Sequence, residues 1–244
     1  MLEPTGPPGG NTRDASLRGL CRVGGVAAWL LFAYCLATMV QLLVLGGQPG
    51  TAKEAFDLLQ QNRLVGLLRL DLPTVLALPL YYLVFLGLCV ALRREDPAGA
   101  TLATALVFVG VTLVLATPMG LSMLPLSDKY AAATSEETRR QLLATGEAVL
   151  ATDMWHSTAA FVGGLLGQSG AVLVSVVMLR TRVFSRTTGW VGLVTHGLDL
   201  AHILLIPFVP GVGALLMMAA GPLYLIWFPL LGRRLLELGR TTPE

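Results

Sequence analysis

Six stretches of this sequence are long and apolar enough to cross a lipid bilayer, and this feature limits the possible folds more than any other. A spanning helix needs about 20 mostly apolar residues, because the hydrocarbon core is about 30 Å thick and each helical residue rises about 1.5 Å. The stretches are residues 23–45, 72–92, 98–126, 154–179, 188–207 and 211–231. Only 13% of the residues are charged and 54% are apolar, whereas soluble domains carry about a quarter charged residues. The sequence therefore predicts an all-α fold, a polytopic transmembrane bundle of six helices.

The segments between these stretches differ in charge, and the difference predicts the orientation. Cytoplasmic loops carry an excess of lysine and arginine. If the N-terminus is cytoplasmic, the inner side holds Arg13, Arg18, Arg22, Arg93, Arg94, Arg180, Arg182, Arg186, Arg233, Arg234 and Arg240. The outer side then holds only Lys53, Arg63, Arg69, Lys129, Arg139 and Arg140. We therefore expect a multi-pass cell-membrane protein with both termini in the cytoplasm.

The remaining segments are predicted to form tails and short surface helices. Residues 1–18 are rich in proline and glycine and are expected to be a disordered tail. The transmembrane domain is predicted over residues 19–236, followed by a short tail at 237–244. Thr134-Ser135-Glu136-Glu137 has the spacing of a capping box, and Glu136 and Arg140 are placed to pair one turn apart. We expect short amphipathic helices in the outer loops, one after this capping box and one over residues 53–70.

A few polar residues lie within or beside the predicted spans, where they are costly in hydrocarbon. His196, Asp199 and His202 follow each other at three-residue spacing in the fifth span, and Asp153 and His156 lie at the start of the fourth. Because three residues turn a helix by about 300°, the three polar residues of the fifth span project within one face of about 120°. The orientation places Asp199, His202 and His156 in the outer half of the bilayer, with Asp153 one turn above His156. These four residues and His196 are the candidate pocket residues.

Three prolines lie at a similar depth. Pro79 and Pro118 fall in the outer halves of the second and third spans, and Pro222 lies near the middle of the sixth. Each proline removes a helical hydrogen bond and leaves a carbonyl that needs another partner. Together with the polar side chains, these prolines predict an outward-facing polar pocket inside the bundle.

The same residues have alternative interpretations. A histidine or aspartate in a bundle can simply join two helices by a hydrogen bond, at an average gain of about 0.6 kcal/mol. His156, Asp199 and His202 are also a chemically suitable set of metal ligands, although no short metal-binding motif such as H-E-x-x-H is present. The sequence identifies no catalytic residue and no cofactor.

Other features of the spans predict helix packing. Gly163-x-x-x-Gly167 allows a neighbouring helix to approach closely. Gln41 and Gln168 are expected to hydrogen-bond between helices. Three tyrosines are expected either to pack in the core or to line the pocket: Tyr81, Tyr82 and Tyr224.

Several short motifs resemble one family of bacterial six-span membrane proteins, domain of unknown function 4386. Arg22-Val23-Gly24-Gly25 is similar to the family's entry into its first helix, and Gly232-Arg233-Arg234-Leu235 is similar to its C-terminal end. The stretch from His156 to Trp190-Val191-Gly192 resembles the family's central block, except that Thr188-Gly189 replace a Pro-Arg pair. The resemblance implies an integral membrane protein of bacterial type and carries no established activity.

From the polar residues we expect binding of a lipid or a small amphiphile in the outer half of the bundle. The alternatives are a membrane enzyme that uses Asp199 as an acid or a metal held by histidines, a small transporter, and a structural or accessory protein. The expected partners are membrane lipids and a small lipophilic ligand. The formal net charge of +2 gives no sign of nucleic-acid binding, and the sequence leaves the oligomeric state open.

Overall fold

A computed structural model describes residues 10–154 and 156–240 of the chain, and every regular element within these ranges is a helix. The helices are α1 (Gly10–Leu45), α2 (Ala52–Gln61), α3 (Arg63–Arg69), α4 (Leu72–Ala77), α5 (Pro79–Leu92), α6 (Pro97–Leu115), α7 (Gly120–Ala132), α8 (Glu136–Ala151), α9 (Thr158–Arg180), α10 (Arg186–Leu205) and α11 (Pro210–Arg240).

Five helical segments are long and apolar enough to cross a membrane, as expected of a membrane protein. They are Ala15–Leu45, Leu72–Leu92, Pro97–Ala132, Thr158–Arg180 and Pro210–Arg240. Helix α10 has 20 residues, a length of about 30 Å, but its polar residues lower its hydropathy below that of the other five. It nevertheless packs along α9 and α11, to which it is joined by short connections, so it lies antiparallel to both.

The long helices share one apolar core. Helix α1 packs on α5 and α11, and α6 packs on α9. Large side chains at the centre include Leu31, Phe85, Trp227 and Phe228, all fully buried. The contact between α6 and α9 depends on glycine, because a Cβ atom on Gly163 would lie 2.7 Å from the carbonyl oxygen of Gly110. This close approach confirms the packing role predicted for the glycines of α9.

Helices α2, α3, α7 and α8 form a separate layer, here called the cap layer, at the end of the bundle where α6 ends and α9 begins. Its own apolar cluster includes Phe56, Leu59, Met119 and Met123. Buried Asp71 attaches this layer to α4, because its carboxylate accepts hydrogen bonds from the backbone amides of Met119 and Gly120 at the start of α7.

The cap layer changes the expected end of the third span. The apolar stretch predicted over residues 98–126 is interrupted at residues 116–119, and Pro118 lies in this interruption rather than inside a helix. Pro118 cannot donate a helical hydrogen bond, and beyond the break Met119 and Met123 pack in the apolar cluster of the cap layer. Helix α8 is capped by Ser135, whose hydroxyl accepts from the amide of Thr138 at 3.1 Å. The N-cap is therefore one residue later than the predicted Thr134.

Further differences concern charge pairs and tails. Glu136 pairs with Arg139 at 3.2 Å instead of Arg140. The helices extend beyond the predicted bounds of the transmembrane domain, since α1 begins at Gly10 and α11 ends at Arg240. A hydrogen bond joins α1 to the end of α11, since Arg22 Nε donates to the carbonyl of Gly239 at 2.7 Å. Residues 1–9 and 241–244 lie outside the described part of the chain.

Candidate functional site

Four polar side chains from three helices meet inside the bundle and are here called the polar cluster: Gln168, His196, Asp199 and Tyr224. Gln168 comes from α9, His196 and Asp199 from α10, and Tyr224 from α11. The three-residue spacing on α10 puts its two members on one side of that helix, which faces α9 and α11. The sequence therefore predicted correctly that His196 and Asp199 share a face.

Short hydrogen bonds connect the four side chains. The hydroxyl of Tyr224 donates to Oδ2 of Asp199 at 2.5 Å, and Nε2 of Gln168 donates to the same oxygen at 3.3 Å and to Tyr224 Oη at 3.3 Å. The other end of the Gln168 amide faces His196, with Oε1 2.7 Å from Nδ1. The predicted interhelical role of Gln168 is thus confirmed, and Gln41 is confirmed similarly, since its Nε2 donates to Leu68 O at 2.6 Å.

The hydrogen positions in the cluster follow from its chemistry. When Asp199 is ionised, its carboxylate only accepts hydrogen bonds and orients the NH₂ group of Gln168 and the hydroxyl of Tyr224 towards itself. The Gln168 oxygen then faces His196, and Nδ1 of that histidine must carry the proton. In the neutral ring the other nitrogen, Nε2, is therefore a hydrogen-bond acceptor.

Two buried nitrogen atoms in this region have no hydrogen-bond partner among the described residues. They are Nε2 of His196 and Nε1 of Trp227. The two rings contact each other edge to face, with centroids 4.4 Å apart, and His196 is only 1% exposed. An unsatisfied buried polar atom costs about 1–3 kcal/mol, so these two nitrogens are costly positions beside the polar cluster.

His196 forms part of the wall of a cavity of about 110 Å³ between α5, α6, α9 and α10. The rest of the wall is mainly apolar, with Tyr81 and Phe85 from α5 and valines from α6. The backbone of α9 contributes Gly163, Gly164 and Gly167, and Gln168 adds a second polar side chain. The cavity lies towards the cap layer, since it is lined by the C-terminal part of α6 and the N-terminal part of α9.

The other sequence-predicted candidates lie elsewhere. His202, near the end of α10, donates from Nδ1 to the carbonyl of Gly213 at 2.9 Å and so closes the turn between α10 and α11. His156 precedes α9, and its side chain is 68% exposed. Its Nδ1 lies 2.9 Å from Oδ1 of buried Asp153, which also accepts from Gln48 at 3.1 Å. Asp153 and His156 thus form a separate pair, and His196 and Asp199 belong to the polar cluster. The structure does not bring the five predicted pocket residues together.

The metal alternative finds no support in this arrangement. Within residues 10–154 and 156–240, no three histidine, cysteine, aspartate or glutamate side chains are grouped as metal ligands. His156 in particular lies at the surface, away from the paired Asp199. The polar cluster offers one imidazole and one carboxylate beside an amide and a phenol, which suits hydrogen bonding better than metal coordination.

Sequence reasoning missed Trp227 and gave Gln168 no part in the pocket. Both residues are ordinary components of membrane helices, and only their position beside His196 distinguishes them. A signal was nevertheless available, because Gln168 is a strongly polar residue in the middle of a span that also carries four glycines. Comparison of the chain with protein-family models, curated proteins and solved structures gives no match.

Proposed function

We propose that this protein binds a small lipophilic molecule in the cavity beside His196. The observation that carries the proposal is a mostly apolar cavity inside the bundle whose wall also includes two polar side chains, Gln168 and His196. Ligand sites in proteins typically combine an apolar wall with a small number of placed polar groups. Here the apolar wall would hold the body of the ligand, and these two side chains would lie beside it.

The size of the cavity limits the ligand. A cavity of roughly 150 Å³ made by mutation in another protein accepts benzene, so about 110 Å³ suits a ring-sized group or the end of a short chain. Leu78, Tyr81 and Gly164 in the wall are only half-buried, so a longer molecule could extend out of the cavity between the helices. The proposed ligand is therefore a small amphiphile, or a lipid of which only one part enters.

The proposal shifts the expected site by one helical turn. Asp199 and Tyr224 satisfy each other between α10 and α11, and neither lines the cavity. Asp199 alone would fit the interpretation of a simple interhelical hydrogen bond. It is the cavity between α5, α6, α9 and α10 that favours a ligand.

We further propose that α10 is a sixth membrane span and that both termini are cytoplasmic. The length of α10 and its antiparallel packing between two apolar helices support the count. The arginines at residues 180, 182 and 186 support the orientation, which would place the cap layer, with its amphipathic helices, on the outer side of a bacterial cell membrane. Membership of the domain of unknown function 4386 family stays a prediction from the motifs at Arg22 and Trp190.

Filling the cavity is the direct test. A Cβ atom on Gly167 would meet no other atom within 4 Å, so Gly167→Leu should extend into the cavity without displacing backbone. We expect wild-type protein in detergent to bind 4-fluorotoluene in ¹⁹F NMR titrations and Gly167→Leu to lose this binding. The variant should also be more stable by about 1 kcal/mol, because leucine favours helix and fills the space.

A matched control separates cavity filling from a general change in hydrophobicity. Gly221 on α11 is exposed and also has open space around its Cβ position, so Gly221→Leu should keep the binding of 4-fluorotoluene. Mass spectrometry of molecules that copurify with each variant should show the natural ligand with wild type and Gly221→Leu only. Equal binding by wild type and Gly167→Leu would refute the proposed function.

A further inference from the structure

We propose that the turn between α9 and α10 binds the headgroup of an anionic phospholipid. This turn, here called the basic turn, covers residues 180–186 and carries Arg180, Arg182 and Arg186. It lies at the end of the bundle opposite the cap layer, because α9 begins beside that layer and ends at Arg180. None of its residues lines the cavity, so the proposal is independent of the proposed function.

The three arginines of the basic turn are exposed and have no acidic partner. Each of them is an exposed residue, and none forms an ion pair with a carboxylate of the described residues. The sequence contains no aspartate or glutamate between Asp153 and Asp199, so the rest of the hairpin formed by α9 and α10 supplies none nearby. Positive charges placed together repel each other, and an anion bound among them removes this repulsion.

Helix α11 adds positive charge to the same region. Arg234 contacts the basic turn, because its Nε donates to the carbonyl oxygen of Val183 at 2.7 Å. Its guanidinium also pairs with Glu237 at 3.3 Å, and the same carboxylate pairs with Arg233 at 2.9 Å. One acidic side chain is therefore shared by two arginines, and the surroundings of the basic turn keep a net positive charge.

The cap layer shows that exposed bases of this protein can be neutralised by neighbouring acids. Lys53 pairs with Asp57 at 2.6 Å, and Arg63 pairs with Asp128 at 2.8 Å. The preference of arginine for the cytoplasmic side explains on which side of a membrane such residues lie, but it does not require that they lack acidic partners. The absence of such partners at the basic turn favours an external anion.

The first turns of α10 fit a lipid better than a soluble anion. Trp190 follows Arg186 by four residues, about 6 Å along the helix axis, and is 57% exposed. Val194, one turn further along, is 48% exposed. Since exposed tryptophans of membrane proteins lie at the level of the headgroups, Arg186 lies at the depth of the lipid phosphates. Guanidinium groups bind phosphate oxygens through paired hydrogen bonds, and an acyl chain would pack along Trp190 and Val194.

Fluorescence quenching by brominated lipids tests the proposal on the full-length protein in phosphatidylcholine vesicles. Trp190 is the reporter, and its share of the signal is the part that Trp190→Phe removes. We expect phosphatidylglycerol brominated in its acyl chains to quench Trp190 at a roughly tenfold lower mole fraction than brominated phosphatidylcholine. Molar sodium chloride should weaken this preference, because salt screens exposed charges.

Single substitutions keep the overall charge bias of the chain. Arg182→Gln should lower the preference for phosphatidylglycerol roughly fivefold, since each basic residue near an anionic surface contributes about that factor. Arg182→Lys keeps the charge and should keep more than half of the preference, so a loss in Arg182→Gln alone reports charge and not a change in folding. Lys129→Gln is the matched control, because it removes one exposed positive charge from the cap layer and should leave the preference unchanged.

A final arm separates a lipid from a soluble phosphate. Millimolar sn-glycerol 3-phosphate, which carries the phosphate without acyl chains, should not restore the fluorescence quenched by brominated phosphatidylglycerol. Full recovery would assign the basic turn to a soluble phosphate ester and overturn the proposal. Equal quenching by the two brominated lipids in wild type, or an equal loss of preference in Arg182→Gln and Lys129→Gln, would also overturn it. Binding of 4-fluorotoluene in the cavity would be unaffected by either result.

Discussion

Asp71 and Asp199 are both carboxylates placed among apolar helices, but they are satisfied in different ways. Asp71 is 2% exposed and accepts hydrogen bonds from two backbone amides at the start of α7. Asp199 accepts from the side chains of Tyr224 and Gln168. Backbone amides at a helix N-terminus have a fixed direction, whereas a glutamine amide presents a donor at one end and an acceptor at the other.

This difference separates a structural site from a site that can carry function. At Asp71 every hydrogen bond ends on backbone, and the positive end of the α7 dipole also favours the negative charge. At Asp199 the glutamine also contacts His196, and both of these residues lie in the wall of the cavity. The two carboxylates thus differ in whether their hydrogen-bond partners can reorient.

The largest effect is expected at Asp71. The substitution Asp71→Ala leaves the amides of Met119 and Gly120 buried without their acceptor and should lower the free energy of unfolding by about 3 kcal/mol. Unfolding in a denaturing detergent series would measure the loss. Asp71→Asn keeps an acceptor oxygen and should lose less than half as much. Binding of 4-fluorotoluene should not change in either variant that folds, and a loss below about 1 kcal/mol for Asp71→Ala would break the comparison.

Asp199→Ala should have a smaller effect on stability. Side-chain hydrogen bonds between membrane helices contribute less than 1 kcal/mol on average, and this substitution removes two, so we expect a loss of about 1.5 kcal/mol. The same unfolding series would measure it, with Tyr224→Phe as the control that removes only one of the two bonds. A loss larger than that of Asp71→Ala would show that Asp199 is the more important structural carboxylate.

The sequence was sufficient to predict five helices that are apolar enough to cross a membrane, but not their ends. Lengths of apolar stretches identify spans, because the thickness of the bilayer sets the number of residues required. Residues such as Met119 and Met123 are equally apolar whether they face lipid or pack on α2, so the stop of α6 at Leu115 has no signal in hydropathy. It depends on a tertiary contact with the cap layer.

The polar cluster was predictable only in part. The three-residue spacing of His196 and Asp199 fixes their common face, since helix geometry alone decides it. Their partners Gln168 and Tyr224 lie 28 residues from His196 in opposite directions along the chain, and no local pattern shows which helices are neighbours. His156 was misleading because the predicted span begins at residue 154, whereas α9 begins at Thr158. His156 therefore lies outside the helix.

The smallest effect is expected at the pair of Asp153 and His156, which lies outside the polar cluster. His156 has an exposed imidazole, and exposed ion pairs contribute little, so His156→Ala should change the free energy of unfolding by less than about 0.5 kcal/mol. Asp153 keeps hydrogen bonds from Gln48 and from the backbone amide of residue 156. The variant should bind 4-fluorotoluene like wild type. If His156→Ala lost the binding instead, the ligand would belong at the surface pair and the assignment to the cavity would be wrong.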